Sequence, residues 1–210
     1  WGACLALALG LMLAGTATAQ PSGHVLAAAK HPEKGYGYID TSGQWFIRPH
    51  LDGAMRFEEG RAAVREGRQW TFIDEQGDSI SGFRYDQVLN FSQGRAAVKD
   101  SGHWWFIDSL GRRVGSLTFD VAAPFSEGYA PVKSGENWGL VDTAGEWFVR
   151  PQYDYIYRHH EGRARFREDG RWGYLNEKGL AAIPAKFQAC RNFNHGFAEA
   201  MQDSLWGFIR

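Results

Sequence analysis

An aromatic residue opening a pentapeptide of the Trp-Gly-Tyr-Ile-Asp type returns every 34 residues, at Tyr36, Trp70, Trp104, Trp138, Trp172 and Trp206. A fixed period of this size means one small structural unit stacked on copies of itself. Counted from each anchor, further positions recur in phase. The second residue after it is Tyr38, Phe72, Phe106, Leu140 or Tyr174, and the third is Ile39, Ile73, Ile107, Val141 or Leu175. Position +7 is always glycine, as Gly43, Gly77, Gly111, Gly145 and Gly179, and so is position +24, followed by alanine at +26.

Each piece has a local physical meaning. The pentapeptide is rich in aromatic and β-branched residues, the composition of a strand. Asp40-Thr41-Ser42-Gly43 reads as a turn, since Asp can accept hydrogen bonds from the backbone ahead of it and Gly supplies a positive φ. Trp45-Phe46-Ile47-Arg48 reads as a second strand ended by Pro49, and Glu59-Gly60-Arg61-Ala62-Ala63-Val64 opens a third. No stretch carries sustained apolar spacing of three and four residues, so no helix is expected in the array. Side chains alternate along a strand, so the anchor and the +2 aromatic share one face and the +1 and +3 residues the other. One three-stranded meander cannot bury both faces, whereas stacked copies can.

Residues 1–19 read as a secretory signal. The run from Ala3 to Gly15 is apolar, uncharged and too short for a span of roughly 20 residues, and Ala17-Thr18-Ala19 fits a small-x-small cleavage site. Residues 20–34 read as a linker, and residues 35–210 as the array, with five full units and a truncated sixth. The absent initiating Met and basic n-region, and the stop just after the sixth Trp-Gly, suggest a fragment of a longer reading frame. Cys4 leaves with the signal, so Cys190 has no partner and reads as a small core residue.

The charge is nearly balanced, with 23 Lys and Arg against 24 Asp and Glu. No basic block supports a nucleic-acid partner. The acids recur at +4 (Asp40, Asp74, Asp108, Asp142) and at +16 (Asp52, Asp86, Asp120, Asp154). A catalytic constellation is needed once per protein, so carboxylates repeated in every unit point to turns and caps. Asp-x-x-Gly offers too few oxygens for calcium, and no His/Cys spacing supplies the four ligands of zinc. No nucleophile elbow, phosphate loop or His-Glu-x-x-His occurs. No catalytic residue, metal or cofactor is therefore expected, and the chain reads as a non-enzyme.

The aromatics are what is left. The chain holds nine Trp, eight Tyr and fourteen Phe, and those that recur must be core. A minority break the pattern: Trp45 and Trp147 at +9, Trp105 at +1, and Tyr155 and Tyr157 beside the pair His159-His160. That pair interrupts position +21, which is Phe57, Phe91, Phe125 and Phe193 in the other units. Positions where one unit departs from its siblings are free to serve binding. These seven residues are the candidate ligand-binding set, able to stack on sugars or anchor a protein.

Trp138-Gly139-Leu140-Val141-Asp142 with Gly145, Trp172-Gly173-Tyr174-Leu175 with Gly179, and Trp206-Gly207-Phe208-Ile209 together resemble the WG-repeat family of bacterial proteins. The Glu-Gly-Arg-Ala element and the Tyr-Asp pair match as well, and the resemblance covers about residues 35–210. Tyr36 in place of Trp, and Thr71 and Trp105 in place of Gly, depart from the pattern. The resemblance implies an all-β fold, an exported or cell-envelope location, and binding or scaffolding without catalytic residues.

The expected architecture is thus an open, curved array of antiparallel β-meanders. A closed propeller is the alternative, although 34 residues is short against the ~40–45 of typical blades. The expected function is a non-catalytic exported scaffold that holds a protein partner; the alternative is a glycan- or peptidoglycan-binding module. The expected location is periplasmic, envelope or extracellular, with no transmembrane segment after signal cleavage.

Overall fold

The computed structural model describes residues 25–210; the expected signal segment lies outside the described residues. Within them the chain is strand and turn throughout, with no helix, and its 21 strands form six separate antiparallel sheets. The first sheet pairs Ala27–His31, Gly35–Ile39 and Trp45–Leu51. The second pairs Gly53–Ala54, Arg61–Glu66 and Gln69–Asp74. The third joins Gln87–Val88, Arg95–Asp100, His103–Asp108 and Arg113–Phe119, and the fourth Val121–Ala122, Tyr129–Ser134, Asn137–Asp142 and Trp147–Tyr153. The fifth comprises Tyr155–Ile156, Ala164–Glu168, Arg171–Leu175 and Ala181–Phe187; the sixth, Ala189–Cys190, Ala198–Gln202 and Leu205–Ile209.

The architecture is the open repeat array expected from the period, but its phase differs. A sheet does not begin at the aromatic anchor. From the second sheet on, it begins after the +16 residue (Asp52, Asp86, Asp120, Asp154 or Gln188), with a two-residue strand, and the anchor opens the second arm of its long hairpin. In the fourth sheet that hairpin pairs Tyr129 with Asp142 and Ser134 with Asn137. The segment read as a linker contains Ala27–His31, which completes the first sheet by pairing with Gly35–Ile39. Pro49 and Pro151 lie within strands rather than ending them. The ladder is irregular there: Tyr36 faces Leu51 while Tyr38 faces Ile47, so the strand arches and proline costs no ladder bond.

The arch explains the +1 glycine. A Cβ built on Gly139 would lie 2.5 Å from the Val149 carbonyl oxygen and 2.9 Å from the Pro151 nitrogen, and one on Gly37 2.4 Å from the Ile47 oxygen. Only a residue without a side chain fits beneath the arch.

Turn chemistry is equally regular. The +4 carboxylate accepts the N–H of the residues two and four ahead, as Asp40 does from Ser42 at 2.8 Å and Gln44 at 3.1 Å. Asp74, Asp108 and Asp142 do the same, as does the side-chain carbonyl of Asn176. These bonds hold the Asp40 carboxyl below the usual carboxylate range, the Ser42 hydroxyl first among them. The +16 acids cap the long hairpins: Asp52 accepts from Gly67 N–H at 2.6 Å and Asp120 from Gly135 N–H at 2.7 Å.

The core is five clusters, each lying between consecutive sheets. The +2 residues Tyr38, Phe72, Phe106, Leu140 and Tyr174 are each at most 1% exposed. The aromatic ones meet the +21 Phe of the following sheet edge-on, with centroids 4.8 Å apart for Tyr38–Phe57 and Phe106–Phe125. Cys190 is buried in the fifth cluster. In the sixth sheet, Phe208 occupies the same +2 position and is 76% exposed. The five buried +2 residues are each covered by the sheet that follows.

Candidate functional site

The Glu-Gly-Arg-Ala element couples one sheet to the next. Its first residue, at +23, holds a left-handed backbone in every unit (Glu59, Gln93, Glu127, Glu161 and His195, φ 51–56), and the +24 glycine follows with φ also positive. Two successive residues of this kind aim their N–H groups into one concavity, a nest for an anion. The +23 carboxylate of the preceding unit fills it. Glu59 accepts from Gln93 and Gly94 at 2.6 and 2.7 Å, Glu127 from Glu161 and Gly162 at 2.8 Å each, and Glu161 from His195 and Gly196 at 2.8 and 3.0 Å. Gln93 does the same with one bond, to Gly128 N–H at 2.8 Å. The Gly196 and His195 amides hold the Glu161 carboxyl below the usual range. Ser92 and Ser126 add hydroxyl bonds to the carbonyls of Phe125 and His159, both 2.8 Å.

Glu127→Ala therefore leaves two backbone donors without their anion and costs about 1–2 kcal/mol, the usual range for charged hydrogen bonds reduced for exposure. Glu127→Gln, which copies Gln93, costs less than half of that. Urea unfolding of the two variants measures the difference.

These ties recur at four successive joints, from Glu59 to Gly196, and so serve the array. Binding residues are to be sought where units differ. The two +1 positions that lack glycine are such a place. Thr71 donates its hydroxyl to the Phe83 carbonyl at 3.0 Å, and the strand that would arch over it is reduced to bridges at Ser79 and Tyr85. Over Trp105 the outer strand, Arg113–Phe119, persists, with its register shifted between Val114 and Phe119. The result is a cleft of about 200 Å³ lined by Phe83, Tyr85, Trp105, Ile107, Gly111 and Arg113. Trp105 meets Tyr85 edge-on at 6.2 Å, and the Arg113 guanidinium lies 5.3 Å from the Trp105 ring centroid. Phe83, at 65% exposed, forms its outer lip.

Tyr155 and Tyr157 form a second irregular place. They lie two apart, on one face, and extend an aromatic row that crosses two sheets. Centroids are 4.7 Å apart for Trp138–Tyr155, 4.8 Å for Tyr155–Tyr157 and 5.7 Å for Tyr157–Trp172. Arg165 stacks on the row, its guanidinium 3.9 Å from the Tyr157 centroid, and donates to the Cys190 carbonyl at 2.7 Å. Burial raises the Tyr155 phenol, with Tyr157 adding to it and Arg165 opposing. Tyr157 is 39% exposed, so the row presents a ring to solvent.

The other candidates separate. Trp147 is half-buried and packs on Phe119 at 5.6 Å, part of the core between the third and fourth sheets. Trp45 is exposed on the first sheet, remote in sequence and sheet order from the row. The histidine pair splits, because neighbours along an extended chain point to opposite sides: His160 is exposed and His159 is buried. Burial lowers the His159 pKa, against the opposing pull of Glu127. Phe83, Arg113 and Arg165 were not among the sequence candidates. Phe83 was legible as the +13 residue beside a missing glycine; the two arginines had no signal of their own.

The family model described as "WG containing repeat" matches residues 36–70, 70–104, 106–138, 138–172 and 172–206. No curated protein matches the chain. Among solved structures, Hsv2 of Kluyveromyces marxianus is similar at 11% identity over 86% of this chain and 73% of that one, with a TM-score of 0.51. This likeness is one of fold alone. Hsv2 of Kluyveromyces lactis gives 9% identity over 69% of this chain and 54% of that one, TM-score 0.42. PorZ, a bacterial surface component of the type-IX secretion system of Porphyromonas gingivalis, gives 9% identity over 84% of this chain and 28% of that one, TM-score 0.44. The chain thus spans about half the length of the Kluyveromyces lactis structures and under a third of PorZ.

Proposed function

Because the chain belongs to the WG containing repeat family, its repeats matched from residue 36 to residue 206, we propose that it is a non-catalytic, exported scaffold that binds a protein partner. The observation that carries this reading is the row Trp138–Tyr155–Tyr157–Trp172 with Arg165 stacked upon it. Trp, Tyr and Arg are the residues that dominate protein–protein hot spots. The row is pre-formed by core packing, so little side-chain entropy is lost on binding. The recurrent acids support the non-catalytic part: those at +4, +16 and +23 accept backbone N–H groups within turns, hairpins and nests. Export is proposed from the apolar segment before the small-x-small site. Among the described residues no helix is long and apolar enough to cross a membrane.

The glycan reading has one observation of its own, the Phe83–Trp105 cleft, whose exposed Phe83 ring and half-buried Trp105 ring could stack on a sugar. A photo-cross-linking residue placed at Tyr157 in cells separates the two. The protein-partner reading predicts a discrete protein adduct that is absent when the same residue replaces Lys178. Titration with soluble cell-wall fragments then leaves Trp fluorescence unchanged. No adduct together with a saturable fluorescence change transfers the function to the glycan cleft.

A further inference from the structure

The +25 position shows what a guanidinium does between two sheets of this array. Arg61 donates from Nε to the Ser109 carbonyl at 2.7 Å and places its guanidinium 5.7 Å from the Phe91 ring. Arg95 donates from Nε to the Thr143 carbonyl at 3.1 Å. Arg163 lies 5.9 Å from the Phe193 ring. The built-in cation thus fills a seat between its own sheet, the +21 ring and the +5 carbonyl of the next.

Two joints lack it. Between the first and second sheets Ala27 takes its place, beside Phe57 and Glu75; between the fourth and fifth, Tyr129 stands where Arg61, Arg95 and Arg163 stand, His159 where every other joint has phenylalanine, and Glu177 where Ser109 and Thr143 stand. Tyr129 stacks on Phe148 at 4.0 Å and lies against His159 at 4.9 Å, and its hydroxyl reaches the Glu177 carbonyl only at 3.5 Å. A cavity of about 450 Å³ is left, lined by Glu127, Tyr129, His159, Gly162 and Glu177. The seat has lost its positive charge and gained a carboxylate.

A second observation is independent of the cavity. His159 is 2% exposed, and its ring reaches only the Asn176 main chain, so at least one ring nitrogen is left without a hydrogen-bond partner. A buried polar group in that state is costly unless something completes it. The described residues contain no group of three His, Cys, Asp or Glu side chains able to hold a metal ion. The complement is an organic cation with several N–H donors and a flat face for the Tyr129 ring, which describes a guanidinium better than an ammonium.

We propose that the Tyr129–His159–Glu177 joint binds a guanidinium from outside the chain, the side chain of an arginine on a protein partner. The seat itself stands on the sibling joints; the assignment to a partner's arginine rests on the protein-partner reading above. The occupant stacks on Tyr129, pairs with the Glu177 carboxylate and presents a donor toward His159. Glu127 stays committed to the Glu161 and Gly162 amides and contributes its charge.

Titration of the protein with ethylguanidinium, followed by nuclear magnetic resonance, tests the seat. Expected are saturable, concordant shifts of the Gly162 amide and the His159 ring, with half-saturation on the order of millimolar. Urea, the uncharged isostere, produces none. Glu177→Gln weakens binding roughly five- to tenfold. Tyr129→Arg, which restores the sibling pattern and so is expected to fold, abolishes it. Shifts that persist in Tyr129→Arg, or that urea reproduces, overturn the seat. A short peptide carrying one arginine between glycines binds at least as tightly as ethylguanidinium if the occupant is a protein side chain; weaker binding overturns the partner's arginine. The cross-link at Tyr157 is read independently, so either reading can fail alone.

Discussion

Phe106→Ala lowers stability by about 3–5 kcal/mol, the range for truncating a fully buried aromatic. Phe106 is 1% exposed and lies against Phe125 at 4.8 Å and Phe119 at 5.9 Å. Phe106 and Phe119 belong to the third sheet, whereas Phe125 precedes the long hairpin of the fourth, so the cavity opens at their joint. With a typical domain stability of roughly 5–15 kcal/mol, a loss of that size divides the array. Stability in such arrays is a sum of unit terms and neighbour terms, and this substitution removes most of one neighbour term. The expected observation is that one urea transition becomes two, with the first carrying a reduced slope. A single transition displaced by less than 1 kcal/mol would mean that the joint collapses to refill the space or contributes little.

Gly139→Ala acts on a different link, the backbone. The added methyl meets the Val149 carbonyl, the Pro151 nitrogen and the Trp147 ring, all within about the distances at which real Cβ atoms are not found. Two of the three are main-chain atoms and cannot rotate away. The fourth-sheet arch must lift, and Trp147, which packs on Phe119, must move with it. Overpacking of this kind costs about 1–3 kcal/mol and sometimes more. The comparison within the molecule is Thr71, where the arch has already given way to isolated bridges. Thr71→Gly accordingly relieves no clash and costs the entropy of a glycine together with the hydroxyl bond to Phe83, about 1–2 kcal/mol. Thermal unfolding of the two variants, side by side, checks both sizes; a neutral Gly139→Ala would mean that the +1 glycine has no steric role.

Much of the fold was legible in the sequence because its determinants are local. The turn from Asp40 to Gly43 needs only an acceptor, two amides and a glycine, all within a few residues. The strand that starts at each anchor needs only alternation. The phase of the sheets was not legible, because Gly53–Ala54 and its equivalents are two residues long and carry no periodicity. Nor was the passage of Pro49 through a strand, since the bulge that admits it depends on Gly37 beneath.

The Glu-Gly-Arg-Ala element was visible as a recurrence but not as a coupling. A left-handed Glu127 is not written in its side chain; that conformation builds the nest that receives Gln93, one unit away. An acid or amide before each +24 glycine, from Glu59 through Glu161, was the signal that could have revealed it. The binding candidates divided for the same reason. Tyr155 and Tyr157 share a face by simple alternation, whereas the burial of His159 beside an exposed His160 needed the neighbouring sheet in place.

The claim beneath all of this is that each sheet is completed by the next one, through a covered aromatic face and a carboxylate set in the following nest. Excision of residues 86–119, one whole unit in the phase of the sheets, tests it most directly. The deletion brings Glu59 to the Glu127–Gly128 nest and the second sheet against the fourth. The account predicts a shorter protein with a β-sheet circular dichroism spectrum and a cooperative melt, while removal of half a unit, residues 86–102, abolishes both. Equal damage from the two deletions would contradict it.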